Sequence, residues 1–214
     1  MIALKAASRA AIAAAATVVL AGCITVFPES KPTQMYRFGA PAAVADRPQA
    51  GPEAGPVGVL KPASNFARAV GGDHILSVTG AEAAYIADAR WVAPASALFD
   101  EAIAQAFDAS PGRVRLVARG EAARTDYVMR LDVRNFEAVY ESGPRSAPTV
   151  VVRARAVLTR TRDRSLIDER VFEVRVKAPG NRIGAIVQTF DAAVAEVLSQ
   201  LVAWSSEKAI PVAP

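Results

Sequence analysis

The sequence predicts an α+β fold: one mostly antiparallel sheet, two main helices packed on one of its faces, and a single domain on an N-terminal tether. Three observations carry this. Three segments after residue 126 alternate apolar and polar residues with period two, the mark of strands covered on one side only. Two other segments repeat their apolar residues at helical spacing, and a sheet with one bare apolar face is closed most simply by such helices. Finally, an N-terminal apolar run is separated from the rest by proline-bearing sequence.

That run comes first. Lys5 and Arg9 precede an uncharged stretch, Ala10 to Leu20, which ends in Leu20-Ala21-Gly22-Cys23. A cationic start, a short apolar middle and small residues at the end have the layout of a secretory signal. The run is shorter than the ~20 apolar residues that a bilayer span requires. Cys23 is the single cysteine among 214 residues, and its position directly after Ala21-Gly22 resembles a bacterial lipobox. Residues 1–22 are therefore expected to be a lipoprotein signal peptide and Cys23 the lipid attachment site. Acyl chains contribute on the order of 0.8 kcal/mol per buried methylene, and several chains together anchor stably. Ile24 rather than Asp follows the cysteine, which favours the inner leaflet of the outer membrane in lipoproteins sorted like the enterobacterial ones.

Totals narrow the field. Removing residues 1–22 takes two of the 25 cations and none of the 21 acids, so the net charge falls from +4 to +2. The surplus is spread along strands rather than gathered in a run, and nucleic acid is not an expected partner. With Cys23 lipidated no thiol remains for a disulfide, so the core alone must hold the fold. After residue 23 no stretch is expected to span a membrane.

Residues 23–33, with Pro28 and Pro32, form the tether, and the domain is placed at 34–206. Gln34 to Phe38 alternates as a short strand. Residues 39–56 hold Pro41, Pro48, Pro52 and Pro56 among Ala and Gly, a composition that buries no core, and read as an extended loop. Strands are expected at Val57–Leu60, Ile75–Val78, Ala83–Ile86 and Arg90–Val92. Pro94 can open a helix at its first turn, where a missing N–H is harmless. That helix carries Leu98, Phe99, Ala102, Ile103, Ala106 and Phe107 on one stripe and stops before Pro111-Gly112.

The three long strands follow. Tyr127, Met129, Leu131 and Val133 face one way, and Phe136 breaks the parity, which calls for a bulge near Asn135. Val150 to Leu158 and Phe172 to Val176 alternate likewise, joined by a turn around Arg162-Asp163-Arg164. Ile183, Ile186, Val187, Phe190, Val194, Val197, Leu198, Leu201 and Trp204 then trace one face of a last helix, with Asn181 as its expected N-cap. Residues 207–214 are read as a tail.

The search for chemistry returns little. His74 is the only histidine, beside Asp73, and no Gly-x-Ser-x-Gly elbow presents a serine to it. One histidine and a lipidated cysteine make no metal site, and Gly51, Gly55 and Gly58 lack the strand–loop–helix setting of a phosphate cradle. No catalytic residue, metal or cofactor is expected beyond the covalent lipid on Cys23, and the protein is read as not an enzyme. Arg130, Arg134, Arg153, Arg155 and Arg175 suggest headgroup binding, but Asp132, Glu137, Glu169 and Glu173 stand among them, and pairing across the sheet is the favoured reading. Phe66, Tyr85 and Trp91 suit either partner contacts or the core.

Tyr85-Ile86-Ala87-Asp88-Ala89-Arg90-Trp91-Val92-Ala93-Pro94, leading into a helix, resembles the ABC-type transport auxiliary lipoproteins, which accompany MCE-protein lipid transporters of the paraquat-inducible type. The resemblance continues at Asp126-Tyr127 to Phe136, the Leu158 strand, Phe172 and the last helix to Trp204, over about residues 34–205. It implies a non-catalytic lipoprotein facing the periplasm, lipid-anchored in the cell envelope. There it would assist an MCE protein and an inner-membrane ABC permease and ATPase in moving phospholipid or other hydrophobic molecules between membranes. Tyr85, Arg90 and Trp91 match the family pattern, for packing or for partner docking. Two other readings stand beside it: a carrier that itself holds lipid or lipopolysaccharide, and a structural lipoprotein of a secretion or envelope assembly. An exposed sheet edge leaves a homo-oligomer open.

Overall fold

A computed structural model describes residues 33–39, 57–110, 112–118 and 120–211. The expected signal peptide, Cys23, the tether before Thr33, the loop over 40–56 and residues 212–214 lie outside the described residues.

The sheet is built around one strand. Strand β7 (Tyr127–Val139) pairs antiparallel along its whole length with β8 (Thr149–Arg160), which pairs antiparallel with β9 (Leu166–Lys177). Along the other edge of β7, three short strands take turns, all parallel to it. They are β2 (Val57–Leu60) at Tyr127 and Val128, β3 (Asn65–Phe66) at Asp132 and Val133, and β4 (His74–Thr79) at Glu137 to Val139. Strand β5 (Glu82–Trp91) turns back antiparallel on β4 through Gly80, β1 (Gln34–Tyr36) lies parallel to β5, and β6 (Val114–Val117) lies parallel to β2. The long ladders are antiparallel as expected, and the parallel pairings belong to the short strands. Two of the nine strands among the described residues, β3 and β6, have no counterpart in the sequence reading, and the two segments expected at 83–86 and 90–92 are one strand with an irregularity.

Burial follows the predicted parity. Tyr127, Met129, Leu131 and Val133 are buried, the register slips between Val133 and Asn135, and Phe136 and Ala138 continue the buried row. The slip is the expected bulge: an extra residue lets Phe136 turn inward, where period two alone would have pointed it to solvent.

Two helices cover this face. Helix α1 (Ala95–Ala109) buries Leu98, Phe99, Ala102, Ile103 and Phe107. Pro94 stands at its N-cap, one position earlier than expected, and the N–H groups of Ala95 and Ser96 donate to the carbonyls of Gly72 and Gly71, at 2.9 and 3.3 Å. Helix α2 (Ile183–Lys208) buries the stripe from Ile186 to Trp204. The expected cap at Asn181 is not made. Arg182 is the N-cap and provides no side-chain bond, because it is Asn181 that is drawn away: its amide donates to Pro144 O (3.0 Å) and its carbonyl accepts from the Tyr140 hydroxyl (2.9 Å). The helix also runs past the boundary expected at residue 206. At 26 residues it is long and apolar enough by length and composition to cross a membrane, contrary to expectation, but its apolar face is packed on the sheet.

Between the layers lies an aromatic cluster. Phe136 sits at its centre, 4.9 Å from Phe190 of α2 and 5.0 Å from Phe38, with Trp91, Phe66 and Phe99 around it. Edge-to-face geometry dominates, the arrangement that the ring quadrupoles favour.

Candidate functional site

Three places could carry function. The first is the Tyr85–Pro94 segment. The structure separates its three candidate residues. Trp91 is 1% exposed and meets Phe38 edge-on at 4.9 Å and Phe190 at 5.4 Å, so it is a core residue. Arg90, on the opposite side of the strand, is half-exposed and donates to Asp73 at 3.0 Å. Tyr85 is 48% exposed; its ring lies 4.7 Å from the His74 ring and its hydroxyl donates to Ala69 O at 3.3 Å. His74 Nδ1 lies 2.9 Å from Asp73 Oδ1. The Arg90 guanidinium beside Asp73 holds that carboxyl below the usual carboxylate range. The Asp73–His74 pair thus ends in an arginine and a tyrosine ring, an arrangement that orders a surface and presents no nucleophile. Among the described residues no group of His, Cys, Asp and Glu could hold a metal ion.

The second place is the outer face of β7–β9. Glu169 receives Arg155 in a two-bond fork, both at 2.6 Å, and the same contact lowers the Glu169 carboxyl. Arg175 pairs with Glu141 at 2.6 Å, Arg134 with Asp132 at 3.2 Å, and Arg153 with Glu173 at 3.5 Å. Of the five strand arginines only Arg130 has no partner among the described residues. Arg153 and Arg155 thus pair across β8 and β9, as the interspersed signs implied, whereas Arg134 pairs within β7 and Arg175 reaches Glu141 just beyond the end of β7. Such exposed pairs contribute little stability, of order 0–1 kcal/mol each.

The third was not anticipated. Helices α1 and α2 diverge to leave an open groove of ≈ 390 Å³, within the size range of small-molecule sites. Its walls are Ala102, Ala106 and Ala109 from α1 and Val194, Leu198 and Val202 from α2, with Gln105, Ser110, Asp191 and Ser199 at the rim. The signal was present in the alanines at i, i+4 and i+7 of α1, which leave room between helices that larger residues would fill. Gly39 closes one end, donating to Asp191 Oδ1 at 2.7 Å. It holds φ +67°, and a Cβ there would stand 2.6 Å from that of Ala102, so only glycine fits.

Comparison with known proteins identifies the family and the fold. A family model described as ABC-type transport auxiliary lipoprotein component matches residues 36–202. The crystal structure of XCC0632 from Xanthomonas campestris, assigned to the family DUF330, is 25% identical, with a TM-score of 0.67 over 82% of this chain and 96% of that one. An uncharacterized protein at 10% identity (TM-score 0.63, 81% of this chain and 99% of that one) shares the fold. So does the hypothetical protein CT253 from Chlamydia trachomatis at 9% (TM-score 0.52, 72% and 98%). No curated protein matches the chain.

Proposed function

The chain belongs to the ABC-type transport auxiliary lipoprotein family, and from that premise we propose that it is a non-catalytic accessory subunit of an MCE-type ABC transport system, held in the envelope by lipid on Cys23 and facing the periplasm from the outer membrane. In this role it assists an inner-membrane permease and ATPase, with an MCE protein, in moving phospholipid or another hydrophobic molecule between membranes. The observation that carries the reading is the family match, which spans the sheet and both helices up to Val202. The ion-paired outer face and the dead-ended Asp73–His74 pair agree with a part that binds rather than reacts.

A second reading, a carrier that holds the cargo itself, draws on the α1–α2 groove, whose apolar walls suit an acyl chain. One experiment separates the two. Cys23→Ser should release the protein from membranes into the soluble fraction, and retention as before would contradict the lipid anchor. The released protein is then extracted and its lipids are quantified by mass spectrometry. An accessory subunit yields less than about one lipid per ten chains, whereas one lipid per chain supports the carrier.

A further inference from the structure

Strand β9 ends the sheet with a backbone edge that pairs with no second strand among the described residues. The edge is long and regular. It runs 12 residues without proline, and the one irregularity in its ladder lies at the start, before Asp168. The other free edges are poorer templates: β1 has three residues and β6 four, and β5 is interrupted by Asp88 at φ +55°. The β8–β9 register continues to Ala178, whose N–H donates to Pro148 O at 2.9 Å. Alternate residues therefore exchange bonds with β8, and Glu169, Val171, Glu173, Arg175 and Lys177 turn their N–H and C=O groups outward. Val171, in the middle of this row, is 45% exposed.

Exposed edges are guarded by charge, since like charges repel a second strand. Here the guard is split. Asp168, Glu169 and Glu173 are matched in number by Arg170, Arg175 and Lys177, with two acids at the start and two bases at the end. A strand so divided is complementary to itself when it runs antiparallel to a copy. Geometry limits the alignments: opposed residues in an antiparallel pair both turn outward or both turn back, so a two-fold axis passes through a residue of β9. Centred on Val171, the pair sets Glu169 against Glu173; centred on Glu173, it sets that carboxylate against itself. Centred on Phe172, it sets Glu169 against Arg175 twice and Val171 against Glu173, with no like charges opposed. Centring on Val174 also avoids like charges but leaves Asp168 and Glu169 outside the overlap.

We propose that β9 is a self-association edge, to which a second copy of this chain adds its own β9 antiparallel across a two-fold axis at Phe172. An unrelated strand would have to match this charge pattern, whereas a copy carries the match in its own sequence. Main-chain hydrogen bonds supply the affinity, and the opposed Glu169 and Arg175 fix the register. Both keep their partners within the chain, Arg155 and Glu141, so the new pairs extend an existing row of charges. Glu169 N–H is held by Asp168 Oδ1 at 2.9 Å, a contact that the carbonyl of the second copy's Arg175 replaces. The inference does not depend on the transport role.

The test uses the full-length, lipid-anchored protein in detergent, its mass followed by sedimentation over a concentration series and its melting temperature measured alongside. A dimer is expected. Glu169→Arg sets cation against cation and Arg175→Glu sets carboxylate against carboxylate, and each should raise the dissociation constant about tenfold or more. The double variant, Glu169→Arg with Arg175→Glu, restores opposite signs and should return the constant to near that of wild type. A role confined to the fold would not give that recovery, because the double variant loses both partners within the chain. A photo-crosslinking residue at Val171 should yield a covalent dimer joined near Glu173, and one at the exposed Ala104 of α1 should not. A monomer at every concentration overturns the proposal. So does an oligomer indifferent to both single variants, or adducts at 171 to lipid or to a different protein.

Discussion

Trp91 and Tyr85 belong to one short motif yet work in different environments, and the difference follows from which side of β5 each side chain takes. Trp91 is enclosed by Phe38, Phe136 and Phe190. Truncation to alanine should destabilise the domain by about 3–5 kcal/mol. Tyr85→Ala removes an exposed ring and should change stability by about 0.5 kcal/mol or less. Urea unfolding of both variants checks this, and equal losses would contradict the separation. Spacing alone could not have told them apart, because the irregularity between His74 and Leu76 resets the parity of β5. A second residue-scale expectation concerns Asp163, whose carboxyl is drawn down to about 2 by hydrogen bonds from the Ser165 hydroxyl and backbone. A depressed folded pKa means that the contribution is fully present above the ordinary value near 3.8 and is lost as pH falls toward 2. Wild type should melt above Asp163→Ala at pH 6, and the gap should close between about pH 4 and pH 2. A gap that stayed constant down to pH 2 would contradict it.

The elements were legible where their periodicity was long. Helix α2 and strands β7 to β9 each repeat an apolar pattern over many residues, so their burial could be read before any neighbour was known. Even the bulge at Asn135 was visible, as a broken parity. Strands β3 and β6 were not. Asn65-Phe66 is too short to show a period, and Val114 to Val117 is a strand because β2 lies beside it, a pairing across 57 positions of sequence that local pattern does not carry. Asn181 was misread for a related reason: it has the chemistry of a cap, but Tyr140 and Pro144 compete for its side chain and win. The α1–α2 groove was hidden in the same way, since alanine reads equally as helix former and as space. Leu198 tests the assignment of the α2 face. It is 4% exposed, and Leu198→Asp buries a charge without a partner. The variant should fail to fold cooperatively, as judged by loss of the near-ultraviolet circular dichroism of the aromatic cluster. A stable folded product would show that this face is not core.

At the scale of the molecule the charges are divided between two sides. Helices α1 and α2 together carry Asp100, Glu101, Asp108, Asp191, Glu196 and Glu207 against a single cation, Lys208. The arginines gather instead on β7–β9 and their turns, where Arg134, Arg153, Arg155, Arg160 and Arg175 are each answered by a carboxylate. The sequence showed that signs were mixed along the strands; it could not show that the start of β7, the end of β8 and the segment after α2 meet, because only the assembled sheet brings Tyr127, Arg160 and Ile210 together. The most direct measurement is to solubilise native membranes gently, purify this protein by affinity, and identify what accompanies it by mass spectrometry. The account predicts an MCE protein together with its ABC permease and ATPase, in constant ratio to this chain. Recovery of lipid alone, or of secretion or envelope components without a transporter, would contradict it.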